Sequence, residues 1–220
     1  MSRKDFWDDV YRRTPATRVS WYQAEAALSR RLIQRVAPDR SAAIVDVGAG
    51  ESVLADGLVA AGYRNLTILD VSAEALAYTR AHLTMADAGV QWLEADVLTA
   101  ALPAAAFDVW HDRAVFHFLL DRDDRERYMR QVRRALRPGG HVIVATFAED
   151  GPRRCSGLDV ARYTADDLQA AFGDDFELVA HEREEHITPA GTPQAFVYCT
   201  FRLSSTAAPA LNTSPVRTLI

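Results

Sequence analysis

The stretch that most limits how this chain can fold is IVDVGAGES, residues 44–52. A short apolar run carries one acid, Asp46, and leads into two glycines one residue apart, Gly48 and Gly50. An apolar run of this length reads as a strand covered on both faces. Glycine lets the backbone turn sharply and come close to a ligand without a Cβ. The following SVLADGLVAAG (52–62) reads as a helix closed by Gly62, and a helix N-terminus presents free N–H groups. Strand, glycine turn and helix are the opening unit of an alternating α/β sheet.

The alternation continues. LTILD (66–70) is a second strand, and SAEALAYTRAHLTM (72–85) a helix capped by Ser72. VQWLEAD (90–96), FDVWHD (107–112) and HVIVATF (141–147) are further strands. DRDDRERYMRQVRRALRPGG (121–140) places acids first and bases last, as the helix dipole favours, and closes at Pro138-Gly139-Gly140. TADDLQAAF (164–172) is a capped helix. FELVAHERE (176–184) and QAFVYCTFRL (194–203) follow each other without a helix, which predicts an antiparallel hairpin on one edge. Upstream of the first strand, WYQAEAALSRRLIQRV (21–36) has helical spacing and stops at Pro38. The expected organisation is a helical cover over 1–40, a core over 41–203 and a flexible tail over 204–220.

Three acids sharpen the glycine turn. A phosphate-gripping loop would carry Gly-Lys-Ser/Thr, and Lys4 is the only lysine. A dinucleotide turn would carry a third glycine where Val53 stands. Asp46 repels phosphate and suits an ammonium group. Asp70, at the end of the second strand, can accept from two ribose hydroxyls. Asp96, at the end of the third, can accept from an exocyclic adenine amine. Each acid also fits a helix cap.

At this point the chain resembles the class I S-adenosylmethionine-dependent methyltransferases, through VDVGAGES (45–52), LTILDVS (66–72), LEADVL (93–98), FDVWHDRAVFHFL (107–119) and LRPGGHVIVATF (136–147). The resemblance implies a Rossmann-like, doubly wound seven-stranded sheet, mostly parallel with an antiparallel last strand and helices on both faces. It implies S-adenosylmethionine as cofactor and S-adenosylhomocysteine as product. Gly48 and Gly50 would pass under the methionine part, Asp46 would seat its amino group and Asp70 would hold the ribose. Val71 would press on the adenine, with Asp96 and the Val97 backbone at its edge. Ser52 stands where many members have another glycine.

The acceptor is expected beside the fourth strand, at Trp110-His111-Asp112-Arg113-Ala114-Val115-Phe116. The Asn/Asp-Pro-Pro-aromatic and Pro-Cys signatures of nucleic-acid methylation are absent, and two cysteines are too few for arsenite. The segment is similar to the Asp-Arg-x-x-Phe of the thiopurine, thiol and halide methyltransferases. Asp-Lys-Gly-Thr of protein-lysine methyltransferases is a second likeness, with Arg113 in place of that lysine. Arg113 could favour a thiolate. His111 or Asp112 could take a proton from an amine. Equally, Asp112 and Arg113 could form a structural ion pair, and His111 could be a satisfied buried imidazole. Trp7, Trp21 and Tyr22 are expected to close over the site, with His117 at its rim.

Composition bounds the partners. A net charge of −5 is poorly suited to a phosphate backbone, so nucleic acid is not expected. No apolar run nears the ~20 residues that cross a bilayer, and no Cys/His spacing suggests a metal. A cytoplasmic, bacterial enzyme with a small-molecule acceptor is the expectation. A protein-lysine methyltransferase and a non-catalytic S-adenosylmethionine-binding module are the alternatives. The oligomeric state is left open.

Overall fold

A computed structural model describes residues 2–51, 53–83 and 89–205. The expectations for Ser52, for the end of the 72–85 helix and for nearly all of the 204–220 tail lie outside them.

The strands are β1 (Ile44–Val47), β2 (Leu66–Asp70), β3 (Val90–Glu94), β4 (Phe107–Arg113), β5 (Leu136–Phe147), a two-residue pair β6 (Arg154–Cys155) and β7 (Leu158–Asp159), then β8 (Phe176–Ile187) and β9 (Pro193–Leu203). Seven of them form one sheet in the order β3-β2-β1-β4-β5-β9-β8. Strands β1 to β5 run parallel, and β9 lies antiparallel to both β5 and β8. The expected Rossmann-like sheet with an antiparallel last strand is what the chain forms.

Side-chain alternation splits the core between the two faces. Val45, Trp110, Val142 and Val144 pack on one face with Tyr128, Met129 and Val132 of α5 (Arg122–Ala135) and Leu168 of α6 (Ala165–Phe172). Ile44, Val109 and Ile143 pack on the other with Leu32 and Ile33 of α2 (Ala27–Val36) and Leu58 of α3 (Leu54–Ala60). Leu76 of α4 (Ala73–His82) joins that second face. The strand order reverses between β1 and β4, and sheets of this kind bind ligands at the strands' carboxyl ends beside such a switch.

Two boundaries differ from the sequence reading. The helix expected over 21–36 begins only at Ala27, and residues 21–26 run irregularly toward the cavity described below. The helix expected to close at Pro138 ends at Ala135. Pro138 disfavours helical backbone at the residue before it. The chain accordingly turns extended at Leu136, which pairs with Phe107 through a register shift. At the other end, α1 (Arg3–Arg13) is closed by a capping box in which Ser2 accepts from the Asp5 N–H and Asp5 accepts from the Ser2 N–H.

Candidate active site

A cavity opens at the carboxyl ends of β1, β2 and β4. One wall begins with the glycine turn after β1. Gly48 and Gly50 stand at φ +61° and +56°, the left-handed region that glycine enters freely. A Cβ on Gly48 would lie 2.0 Å from Val115 Cγ2, and one on Gly50 would lie 2.6 Å from the Tyr11 hydroxyl. Neither position has room for a side chain.

Asp70 locks this turn. Its carboxylate accepts from the Gly50 N–H at 2.8 Å and from the Ser72 N–H at 2.8 Å. The group is 3% exposed, lines the cavity, and is pushed up to about 6 by burial. A carboxylate so poor in water is strengthened by further donors. Val71, Asp96 and Val97 line the same wall. Asp96 accepts from Leu98 N–H at 2.9 Å and pairs with Arg3 of α1 at 3.1 Å.

The wall beside β4 is made of side chains. His111 sits opposite Asp46 across the β1–β4 pair. Its Nδ1 is 2.6 Å from Asp46 Oδ1 and its Nε2 is 2.9 Å from the Ser29 hydroxyl of α2. Arg113 donates from Nε to the Tyr198 hydroxyl at 2.9 Å and from a terminal nitrogen to the Trp21 carbonyl at 3.3 Å. Its guanidinium lies 3.7 Å from Glu184 and 4.6 Å from the centre of the Phe196 ring. Between Arg113 and Val115, Ala114 holds φ +73°, which is strained for a residue with a Cβ. Trp7 crosses Trp21 and Phe118 edge-on at 5.9 and 5.3 Å, and these rings, with Tyr22, line the cavity.

The structure therefore brings Asp46, Gly48, Gly50, Asp70, Val71, Asp96, Val97, His111, Arg113, Trp7, Trp21 and Tyr22 around one cavity. It does not bring Asp112 or His117 there. The expectation of Asp112 as a group beside the reacting atoms fails on alternation: in a strand, neighbours point to opposite faces. His111 and Arg113 face the cavity, so Asp112 faces α5. There it accepts from the Tyr128 hydroxyl at 2.6 Å and the Val115 N–H at 2.9 Å, and burial pushes it up to about 6. It shapes the turn after β4 and forms no ion pair with Arg113. His117, expected at the rim, is fully buried against Phe118 and Phe147, and burial pushes it down to about 3. It is a neutral core imidazole.

Ser29 and Glu51 are among the cavity residues that the sequence reading does not single out. Ser29 shares the buried face of α2 with Leu32 and Ile33. A small polar residue at a core position of an amphipathic helix is the signal that marks it. Glu51 follows the second glycine; one carboxylate oxygen is buried without a hydrogen-bond partner, and burial pushes the group up to about 7.

The seven-stranded order, the antiparallel last strand and the cavity at the β1–β4 switch define the Rossmann-like fold of the class I methyltransferases. Residues 44–140 match a family described as a methyltransferase domain. An uncharacterized methyltransferase of Mycobacterium tuberculosis is 33% identical over 116 residues, covering 53% of this chain and 56% of that protein. The chain thus spans about half the length of that relative. EEF1A lysine methyltransferase 2 of Danio rerio is 26% identical over 196 residues, covering 81% of this chain and 77% of its own. Among solved structures, one described by the conversion of a disulfide bond into a thioacetal group during echinomycin biosynthesis has a TM-score of 0.75 at 19% identity. It covers 93% of this chain and 94% of its own. The 1,6-didemethyltoxoflavin-N1-methyltransferase of Burkholderia thailandensis, with S-adenosylhomocysteine bound, has a TM-score of 0.63 at 21% identity, covering 89% and 81%. Among the described residues no group of three His, Cys, Asp or Glu is placed to hold a metal, and no helix is long and apolar enough to cross a membrane.

Proposed function

We propose that this chain is an S-adenosylmethionine-dependent methyltransferase acting on a small nucleophile, a thiol or another soft atom first. The observation that carries the reading is Asp70, a buried carboxylate that faces the cavity while gripping Gly50. The residues fit the cofactor on three counts. Gly48 and Gly50 line the cavity without a side chain of their own. The carboxylates there favour hydroxyl and ammonium donors over phosphate. Val71 and Val97 supply apolar surface beside Asp96. Bound there, the cofactor supplies an electrophilic methyl group on a sulfonium.

What remains for the chain is positioning and exclusion of water. Gly48 and Gly50 would carry the methionine part, Asp70 the ribose, and Val71, Asp96 and Val97 the adenine. Trp7, Trp21, Tyr22 and Phe118 wall off the acceptor end, which supports a small acceptor. Arg113 would hold it with whatever negative charge it brings. The second reading is methylation of a protein lysine. It draws on the likeness to the zebrafish lysine methyltransferase and on the same aromatic wall, which suits an amine's methylene stem.

Calorimetry tests the cofactor: binding of S-adenosylhomocysteine is expected, and binding of a nicotinamide dinucleotide in its place overturns the reading. A screen of thiols, selenols, halides and lysine peptides, read by S-adenosylhomocysteine release, tests the acceptor. Turnover only on a lysine peptide reverses the order of the two readings.

A further inference from the structure

We infer that Ser29, His111 and Asp46 form a proton relay along the acceptor wall, and that the acceptor is therefore a nucleophile that must lose a proton. The inference rests on the methyltransferase reading and narrows it: a thiol, amine or hydroxyl is the substrate class, and a halide is not.

The geometry is continuous. Asp46 Oδ1 lies 2.6 Å from His111 Nδ1, and His111 Nε2 lies 2.9 Å from Ser29 Oγ. The three residues come from β1, β4 and α2, so tertiary packing alone aligns them. They are 3%, 2% and 1% exposed, yet all line the cavity. Little water competes for these bonds, and each is correspondingly strong. A carboxylate can only accept, so Nδ1 carries the imidazole proton and Nε2 is left as a base toward the Ser29 hydroxyl. Ser29 is the end of the relay that a bound acceptor would meet, because α2 follows directly on Trp21, Tyr22, Gln23 and Ala26, which line that wall.

Charge balance suits the role. As the acceptor's lone pair forms the bond to the methyl carbon, the old bonding pair stays with the cofactor sulfur. The acceptor's proton passes to Ser29 Oγ while Ser29's own proton passes to His111 Nε2. One positive charge disappears at sulfur and one appears on the imidazole, where Asp46 faces it. The cavity's net charge is unchanged until the proton leaves to solvent with product release. Ser29 would touch the acceptor and His111 would hold the proton. Asp46 is a positioning residue. The other charged groups nearby are Asp112 on β4, Asp70 on β2 near Asp46 and, past the Tyr198 hydroxyl beside Ser29, Arg113 and Glu184.

The test starts from the proton. Nitrogen-15 histidine spectra of the full chain with S-adenosylhomocysteine bound, at pH 7.5, should show His111 protonated at Nδ1 and bare at Nε2. The His111→Asn variant assigns the signal. A proton on Nε2 in that complex overturns the relay while leaving the cofactor reading intact. Ser29→Ala should move the Nε2 resonance, leave S-adenosylhomocysteine affinity within about twofold, and lower turnover of 2-mercaptoethanol by about tenfold or more. The loss should shrink to a few-fold for 4-nitrothiophenol, which is already a thiolate at pH 7.5 and has no proton to pass on, and Ser29→Thr should restore the 2-mercaptoethanol reaction. Equal loss on both thiols, or no loss on 2-mercaptoethanol, overturns it. Absence of turnover on either probe counts against the small-acceptor reading, and the tautomer still decides the relay.

Discussion

The two walls of the cavity are built by different means. The proposed donor wall lies at the ends of three neighbouring strands: Gly48 and Gly50 after β1, Asp70 and Val71 at the end of β2, Asp96 and Val97 after β3. Its shape is set by backbone dihedrals and by hydrogen bonds between near neighbours in the fold. The proposed acceptor wall gathers Ser29 from α2 and His111 and Arg113 from β4, with Tyr198 of β9 and Glu184 of β8 backing Arg113. Its shape is set by side chains from segments up to 161 residues apart, as between Gln23 and Glu184. A wall of backbone turns tolerates few substitutions and serves one ligand. A wall of side chains can be revised one residue at a time, and that is where a substrate preference would be expected to change.

The largest effect should fall on the donor wall. Asp70→Asn removes the charge that would meet two ribose hydroxyls, each such bond contributing about 1.5 kcal/mol or more. S-adenosylhomocysteine affinity measured by calorimetry should drop about a hundredfold. A loss under threefold would break the contrast between the walls. Gly48→Ala comes next, because it forces a Cβ to φ +61° and into Val115. It should lower unfolding free energy by about 1–3 kcal/mol. Adding Val115→Ala should return part of that loss, since the overlap goes and the strained dihedral stays.

The third effect is one of pH. Asp70 is pushed up to about 6, and only its ionised form accepts both hydroxyl donors. At pH 7.5 it is mostly ionised; at pH 5 about nine in ten molecules carry the proton. S-adenosylhomocysteine affinity should therefore fall about tenfold between those values, and the fall should vanish in Asp70→Asn. The smallest effect on the cofactor belongs to the acceptor wall. Tyr198→Phe removes the hydroxyl that accepts from Arg113 and donates to Glu184. Stability should fall by ~1 kcal/mol, with S-adenosylhomocysteine affinity unchanged within about twofold. A tenfold loss there would show the walls to be coupled.

The same contrast explains what could be read before folding. Strand, glycine turn and acid are local, so Asp46, Gly48, Gly50, Asp70 and Asp96 announce themselves by spacing. The edge hairpin was legible because no helical segment separates its two strands. The acceptor wall depends on which way a side chain points and on who meets it. Asp112 was misplaced because the motif around it was read as a unit, although alternation along β4 separates it from His111 and Arg113. His117 was misplaced because a histidine among aromatics reads alike at a rim and in a core, and only burial tells them apart. Ser29 needed a partner 82 residues away before its place on α2 meant anything.

One feature of the cover sets how the cavity answers to its medium. The outer end of α1 is tied down by Arg3 to Asp96 and Asp124 and by Lys4 to Glu94, the two basic side chains being nearly half exposed to water. Exposed pairs of this kind contribute between nothing and about 1 kcal/mol each and weaken as ions are added. The inner end is held by the Trp7–Trp21–Phe118 rings and by the Ser72 hydroxyl on Asp8 at 2.6 Å, which salt scarcely touches. The helix is thus pinned at one end and latched at the other. Raising ionic strength should fray it from Arg3 inward, so that its first amides exchange with deuterium sooner while those near Trp7 keep their protection.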